Sequence, residues 1–503
     1  MSSKKPSLKT NYEFNLLVKI VNLLYPIITI PYVTRILGPE GFGKTSFALA
    51  FANYFILLAN FGVGTNYAIR EISKVRNDPI EMKRVFSELF LLFTFSSFLA
   101  SILYITTFFF VEKVKQDLLL YLVVGISLFL NQMAVGWFFT GIENFKYLAI
   151  RNFLVKVIVI LAILITVREP KDYTIYAFVV SFSVFGLNIL DFAFALRHTK
   201  LQLSSSFLRH LASMLMFFLI GIFSILNTGI DVILLGFLET TNPDKAVGLF
   251  SAVRKVILIL LIMVNSLISV NYSRLTHVLS QNSKEEYINL LKKTSNSITF
   301  ISFFAFSITF SFSREIMEII GGSKFIEAEL SLKIMSLLLI TNVLKSIIEF
   351  QILNPNNGER LVTIGSVISW VITFVMLILL VPTASYLGAS ISLLIGDITT
   401  LLIFLVLSTK ILPTNVLKTL FLSKNTLLHL FVSISIVLLH TLISQFLPLK
   451  PTTIIEIIAF TGILGGLYSL VYFTTLLLLR DETAREIKET LLKLALRLID
   501  RKT

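Results

Sequence analysis

Long apolar runs, separated by short polar connections, fill almost the whole of this 503-residue chain. A helix needs about 20 mostly apolar residues to cross a bilayer. Fourteen stretches qualify: 14–37, 44–68, 86–111, 118–140, 150–167, 173–196, 211–238, 247–271, 295–313, 331–353, 361–381, 384–408, 427–447 and 454–479. In hydrocarbon every backbone polar group must be satisfied within its own segment, so such runs predict helices. The pattern predicts an all-α polytopic membrane protein with about 14 transmembrane helices. No connection could hold an independent soluble domain of about 50 residues, so the chemistry is expected inside the membrane.

Composition sharpens this only slightly. Charged residues make up 15% of the chain, against about 25% in soluble domains. The net charge of +14 would suit nucleic acid, but its placement does not. With both termini in the cytoplasm, the inner connections and tails carry most of the Lys and Arg, which is the positive-inside pattern. Arg70, Lys74, Arg76, Lys83 and Arg84 form one block, and the tail from Arg485 to Lys502 forms another. In that tail Ile487, Leu491, Leu494 and Leu498 fall at helical spacing, which predicts an amphipathic helix on the anionic inner leaflet. The opening MSSKKPSLKTNYEF has no short apolar core and reads as a cytoplasmic tail, not a signal peptide. With no cysteine, disulfides and thiol chemistry are excluded.

Gly38-Pro39-Glu40-Gly41-Phe42-Gly43-Lys44-Thr45 satisfies the phosphate-loop pattern G-x-x-x-x-G-K-[ST]. That motif needs a buried strand before it and a soluble helix after it. Here spanning helices flank it, and the topology puts it outside, away from ATP. Its glycines are expected to let the chain turn tightly between two helices.

Two parts of the chain echo each other. Arg35-Ile-Leu-Gly38 with Gly43-Lys-Thr-Ser-Phe-Ala48 recurs as Leu234-Leu-Gly236 with Gly248-Leu-Phe-Ser-Ala252. The turn Gly141-Ile-Glu-Asn-Phe-Lys146 has a counterpart in Asn354-Pro-Asn-Asn-Gly-Glu-Arg360. The offset predicts two six-helix lobes, 1–200 and 201–410, then two added helices in 411–480 and the tail 481–503. Lobes related this way usually enclose a midplane cavity that opens alternately to each side.

Pro31-Tyr-Val-Thr-Arg35-Ile-Leu-Gly-Pro-Glu-Gly-Phe-Gly43 and Trp137-Phe-Phe-Thr-Gly-Ile-Glu-Asn-Phe-Lys146 resemble polysaccharide repeat-unit flippases of the Wzx type. The resemblance is strong over the first 160 residues and continues through helix count and repeat. It implies the superfamily that also holds multidrug exporters and the lipid II flippase. It further implies an undecaprenyl-pyrophosphate-linked oligosaccharide as substrate, moved between leaflets for surface polysaccharide such as O-antigen. Polysaccharide polymerase and glycosyltransferases would be its partners.

Ionisable side chains within spans are costly and usually face a cavity. Lys19, Arg35, Lys156, Arg254, Lys255 and Lys345 are the candidate cations, and Asp191, Asp231, Glu349 and Asp397 the candidate acids. A cationic lumen suits a pyrophosphate, which Arg can hold bidentately. Arg254 sits about 10 Å deep in its helix, where the lipid II flippase family carries an arginine after a similar turn. Lys345 and Glu349 are spaced to neutralise each other. Asp231 and Asp397 lack a basic residue three or four positions away. With oxygens from Asn227, Thr228, Thr399 and Thr400 they are candidates to bind Na⁺ or a proton for coupling. His198, His210, His277, His429 and His440 show no metal-ligand spacing, and neither a Ser/His/Asp set nor a catalytic carboxylate pair is visible. The expected function is an inner-membrane flippase and not an enzyme. A multidrug exporter of the same superfamily would favour acids in its cavity. A membrane glycosyltransferase or polymerase would need large outer loops, and a scaffold would leave the buried charges unexplained.

Overall fold

The computed structural model describes residues 8–61, 67–202, 207–216, 218, 229–281, 283–446 and 453–500; for 8–21, 23 and 494–500 it describes the backbone alone. The described residues form helices and turns. They divide into two compact units, Met1–Gly248 and Leu249–Thr503. This boundary falls later than the one the internal repeat predicts at 200/201. The helix Ile230–Leu238 belongs with the first unit because it packs on the first helix: Phe237 meets Phe47 edge-on at 5.2 Å.

In the first unit, α1 (Leu8–Asn60) holds the first expected span and the second as far as Asn60, divided at Gly38. Gly38 has φ 66 and ψ 179, a conformation that glycine adopts without a Cβ clash. Pro39 then starts the second half, where its missing N–H costs nothing. The phosphate-loop pattern is therefore helical on both sides of one break. Gly43 serves a different purpose from turning. A Cβ there would lie 1.7 Å from the Asp244 carbonyl oxygen, and one on Gly248 would lie 1.8 Å from that of Pro39. The repeat-related glycines mark a backbone-on-backbone contact, which no side chain could enter.

The helices α2 (Ala68–Val75), α3 (Pro79–Phe110), α4 (Leu118–Phe129), α5 (Phe145–Thr166), α6 (Tyr173–His198) and α7 (Ile230–Leu238) complete this unit. α3 shows how a sequence of this kind sorts itself. Asp78 caps it by accepting from the amides of Ile80 (2.9 Å) and Glu81 (3.2 Å), with Pro79 at the first position. One face buries Phe86, Leu89 and Phe93 against Trp137 and Phe138, while Phe95, Phe98, Phe109 and Phe110 stay exposed. Large apolar side chains facing outward on a well-packed helix are what a bilayer solvates and water would not.

The helix α8 (Pro243–Ser280) runs across the unit boundary. The second unit continues with α9 (Lys284–Ser311), α10 (Ser313–Gly321), α11 (Leu338–Ile347), α12 (Glu359–Ser408), α13 (Lys424–Phe446), α14 (Ile454–Leu478) and α15 (Glu482–Asp500). α12 again holds two expected spans, divided at Ser385 (φ 51, ψ −134) just after Pro382. α11 runs into a π-helical stretch, Ile348–Leu353, a local widening often found at functional sites. The last two apolar helices join α9 through Phe300, Phe312, Val432, Tyr468 and Tyr472.

Nine helices among the described residues are long and apolar enough to cross a membrane, or ten if α9 and α10, bent by 72°, form one span. Two of the nine are the divided helices, and the fourth expected span is the shorter run Leu118–Met133. Of the expected seventh, 211–238, residues 217 and 219–228 lie outside the described residues. The tail is helical as expected, with Ile487 packed on the second unit's core and Leu491 exposed.

Candidate functional site

The first unit holds an open cavity of about 550 Å³ lined by α1, α5, α6 and the segment 131–140. Its lining is polar although the helices around it are apolar. α5 presents Arg151, Asn152 and Lys156, α6 presents Asn188 and Asp191, and α1 presents Asn22 and Asn60. Asn152 with Lys156, and Asn188 with Asp191, share a face because helical spacing of three or four positions returns a side chain to one side. The sequence thus places a polar stripe on helices whose other faces meet lipid.

Arg151 Nη1 lies 3.0 Å from Asp191 Oδ2, and the carboxylate is 2% exposed. A buried carboxylate of this kind is stable only when paired. Gly136 leaves the room for it, since a Cβ there would come to 3.0 Å from Asp191 Oδ2 and 3.4 Å from Arg151 Nη2. Lys156 Nζ stands 4.2 Å from the Tyr25 ring centroid, held by cation–π attraction. Carboxamides hold one another: Asn131 donates to Asn60 at 3.2 Å and Asn152 to Asn22 at 3.4 Å.

Several polar atoms around this cavity have no hydrogen-bond partner: Asp191 Oδ1, Arg151 Nε, Asn188 Nδ2 and Trp137 Nε1. Leaving a buried donor or acceptor unmade costs about 1–3 kcal/mol each, and water or a polar ligand in the cavity would supply the missing partners. Donors outnumber acceptors and one cation beyond the ion pair is present, which suits an oxygen-rich, neutral or anionic ligand.

The other sequence candidates divide between the units. In the first, Arg35 is half-buried on α1 and the side chain of Lys19 lies outside the described residues. Asp231 is 2% exposed, in the first turn of α7, which Gly229 opens with φ 97. Its Oδ1 accepts from the Val232 amide at 2.8 Å, where the helix dipole favours a negative charge. Asn227 and Thr228 lie outside the described residues.

In the second unit, Arg254 and Lys255 are half-buried on α8. Lys345 makes its ion pair across to Asp397 on α12 rather than with Glu349. Thr341 donates to Asp397 at 2.6 Å and Asn342 at 3.3 Å, while Asn265 of α8 donates to Asn342 at 3.4 Å. The neighbouring helix thus supplies the polar groups expected from Thr399 and Thr400, whose hydroxyls bond the carbonyls of Ile395 and Gly396 instead. Glu349 is half-buried within the π-helical stretch.

Sequence reading missed Arg151, which was absorbed into the fifth span; its signal was a basic residue on the helix that also carries Lys156. It also missed a line of Thr299, His429 and Asp481, with His429 3.2 Å from Thr299 and 3.0 Å from Asp481. The three are sealed in the second unit's core, and Asp481 also caps α15 by accepting from the Ala484 amide at 2.8 Å. No substrate can reach that hydroxyl, so the line fastens the tail helix. Among the described residues no group of three His, Cys, Asp or Glu side chains could hold a metal ion.

A family model described as "Polysaccharide biosynthesis protein" matches residues 8–277. Two relatives are each named "Putative O-antigen transporter". That of Escherichia coli (strain K12) is 26% identical over 425 residues, covering 82% of this chain and 100% of that protein. That of Shigella dysenteriae is 26% identical over 186 residues, 37% of this chain and 46% of that protein. Among solved structures, the lipid II flippase MurJ in an inward closed conformation aligns with TM-score 0.72 and 14% identity, over 93% of this chain and 99% of that one. An outward-facing multidrug resistance MATE family transporter of the MOP superfamily aligns with TM-score 0.50 and 17% identity, over 80% and 94%. At such identities the likeness is one of fold.

Proposed function

Because this chain belongs to the polysaccharide biosynthesis protein family, whose model matches more than half of it, we propose that it flips a lipid-linked oligosaccharide repeat unit across the bacterial cytoplasmic membrane. The cargo is an undecaprenyl-pyrophosphate-linked saccharide, the mechanism is alternating access, and the product feeds surface polysaccharide assembly. The observation that carries this reading is the first unit's cavity, with its unfilled hydrogen-bonding atoms inside a lipid-facing bundle. A saccharide head is dense in hydroxyl donors and acceptors that hydrocarbon cannot satisfy. It crosses only where buried polar groups replace its water. Arg151 and Lys156 against Asp191 leave the cavity with an excess of one positive charge, which favours an anionic cargo over the cations an exporter would carry.

Arg254, Lys255, Arg35, Lys19 and Lys345 are proposed to meet the pyrophosphate along the way. Asp231 and Asp397 are proposed to couple transport to Na⁺ or protons by binding the ion with different affinity in the two conformations. The direct test is reconstitution with a fluorescent lipid-linked oligosaccharide whose outer-leaflet appearance is followed by an impermeant quencher. Lys156→Met and Arg254→Ala are each expected to slow flipping about tenfold or more, since a charged hydrogen bond contributes about 1.5–3 kcal/mol. Unchanged flipping in both variants would remove the cations from the mechanism.

The proposed orientation puts both termini in the cytoplasm and the Gly38 break outside. Gly41 is buried, whereas Glu40 and Asn77 are exposed. In this cysteine-free chain, Glu40→Cys should react with an impermeant maleimide applied to intact cells. Asn77→Cys should react only after permeabilisation, and the reverse result sinks the topology.

A further inference from the structure

The phosphate-loop lysine, Lys44, finds no phosphate cradle, because the residues around it are helical and Thr45 gives its hydroxyl to the carbonyls of Gly41 and Phe42. It lines instead a second cavity of the first unit, also about 550 Å³, with Lys113, Gln116, Asp117, Tyr121 and Asp244. Lys44 opens the second half of α1 and Asn60 of the first cavity closes it. At 1.5 Å per residue the two cavities lie about 24 Å apart along one helix. In the orientation proposed above, every connection lining the second cavity is an outer one.

Its chemistry differs from the first. Lys113 is fixed in place: its Nζ lies 3.0 Å from Asp244 Oδ1 and 3.1 Å from the Gly236 carbonyl oxygen, and 4.5 Å from the Phe47 ring centroid. Lys44 Nζ stands 5.0 Å from the Tyr173 ring centroid. Asp117 Oδ2 is buried with no hydrogen-bond partner. Glu112, also at the wall, pairs with Lys115 at 3.5 Å, so three carboxylates meet three ammonium groups and the cavity offers a diphosphate no net positive charge. Carboxylates that accept from hydroxyls and a lysine that donates to them suit a neutral saccharide. The volume is within the roughly 300–1,000 Å³ of small-molecule pockets.

We propose that this outer cavity is a saccharide-binding site, which receives the sugar part of the cargo after translocation, with Asp117 and Lys44 as its central hydrogen-bonding groups. The proposal rests on the flippase reading for the identity of its ligand but not for its test. Gln116→Cys in the full-length protein in detergent provides the reporter, since that side chain is exposed at the rim. The probe is the soluble oligosaccharide released by mild acid from the host's own surface polysaccharide. At ten times the dissociation constant it should slow maleimide labelling about tenfold, and adding Asp117→Asn or Lys44→Met should abolish the slowing.

Labelling that the oligosaccharide does not slow overturns the site, as does protection by inorganic pyrophosphate in its place. The flipping assay run on the same preparation separates the two readings. Flipping without protection removes the outer site alone, whereas protection without flipping keeps the site and removes the flippase assignment.

Discussion

Arg151→Ala is expected to destabilise the protein by about 3–5 kcal/mol and to abolish flipping. That is the range for stranding one member of a buried ion pair, and Asp191 is only 2% exposed. The thermal midpoint in detergent should fall accordingly. The double variant Arg151→Met with Asp191→Leu removes both charges and should regain most of the lost stability, because paired charges in an apolar setting contribute little net energy. It should still fail to flip the cargo, since the cavity then lacks the donors and acceptor that replace the saccharide's water. An Arg151→Ala protein as stable as the parent would show that the pair carries no energy. A double variant that transports normally would show that the cavity is not on the path.

The second large effect is expected at Lys345. It holds Asp397 together with Thr341 and Asn342, so Lys345→Met leaves a carboxylate with two neutral donors and no cation. Its cost is again about 3–5 kcal/mol. Unlike the first case, the loss should be recoverable by a small ion. If Asp397 accepts Na⁺ or a proton during transport, the Lys345→Met protein should be stabilised by added Na⁺ or by lowered pH more strongly than the parent, in which Lys345 competes for the carboxylate. Asp397→Asn added to it should erase that dependence. A Lys345→Met protein indifferent to both ions would take Asp397 out of the coupling proposal and leave it as a structural partner of Lys345.

Helix positions were legible in the sequence because the bilayer imposes a one-dimensional rule. About 20 apolar residues are needed to cross it, whatever the neighbours are. Gly38-Pro39 was equally readable as a break, since positive φ and a missing N–H are local properties. The repeat glycines were visible as a pattern, but their reason was not. Gly43 and Gly248 are small because two stretches of backbone, distant in sequence, meet there.

The charged residues behave the same way. Composition and spacing marked Asp191, Lys345 and Asp397 as ionisable groups inside spans, which hydrocarbon makes costly and so conspicuous. Spacing along one helix suggested Lys345 with Glu349, and it suggested no partner for Asp191 or Asp397. Packing between helices chose Arg151 for Asp191 and Lys345 for Asp397. An ion pair depends on distance in space, and sequence separation reports that distance only within a single helix. The chain by itself therefore determined a helical membrane protein with buried charge of both signs. Tertiary structure alone decided which charges neutralise each other and which polar atoms are left facing a cavity, because only there do separate helices share a dielectric too low to leave a charge alone.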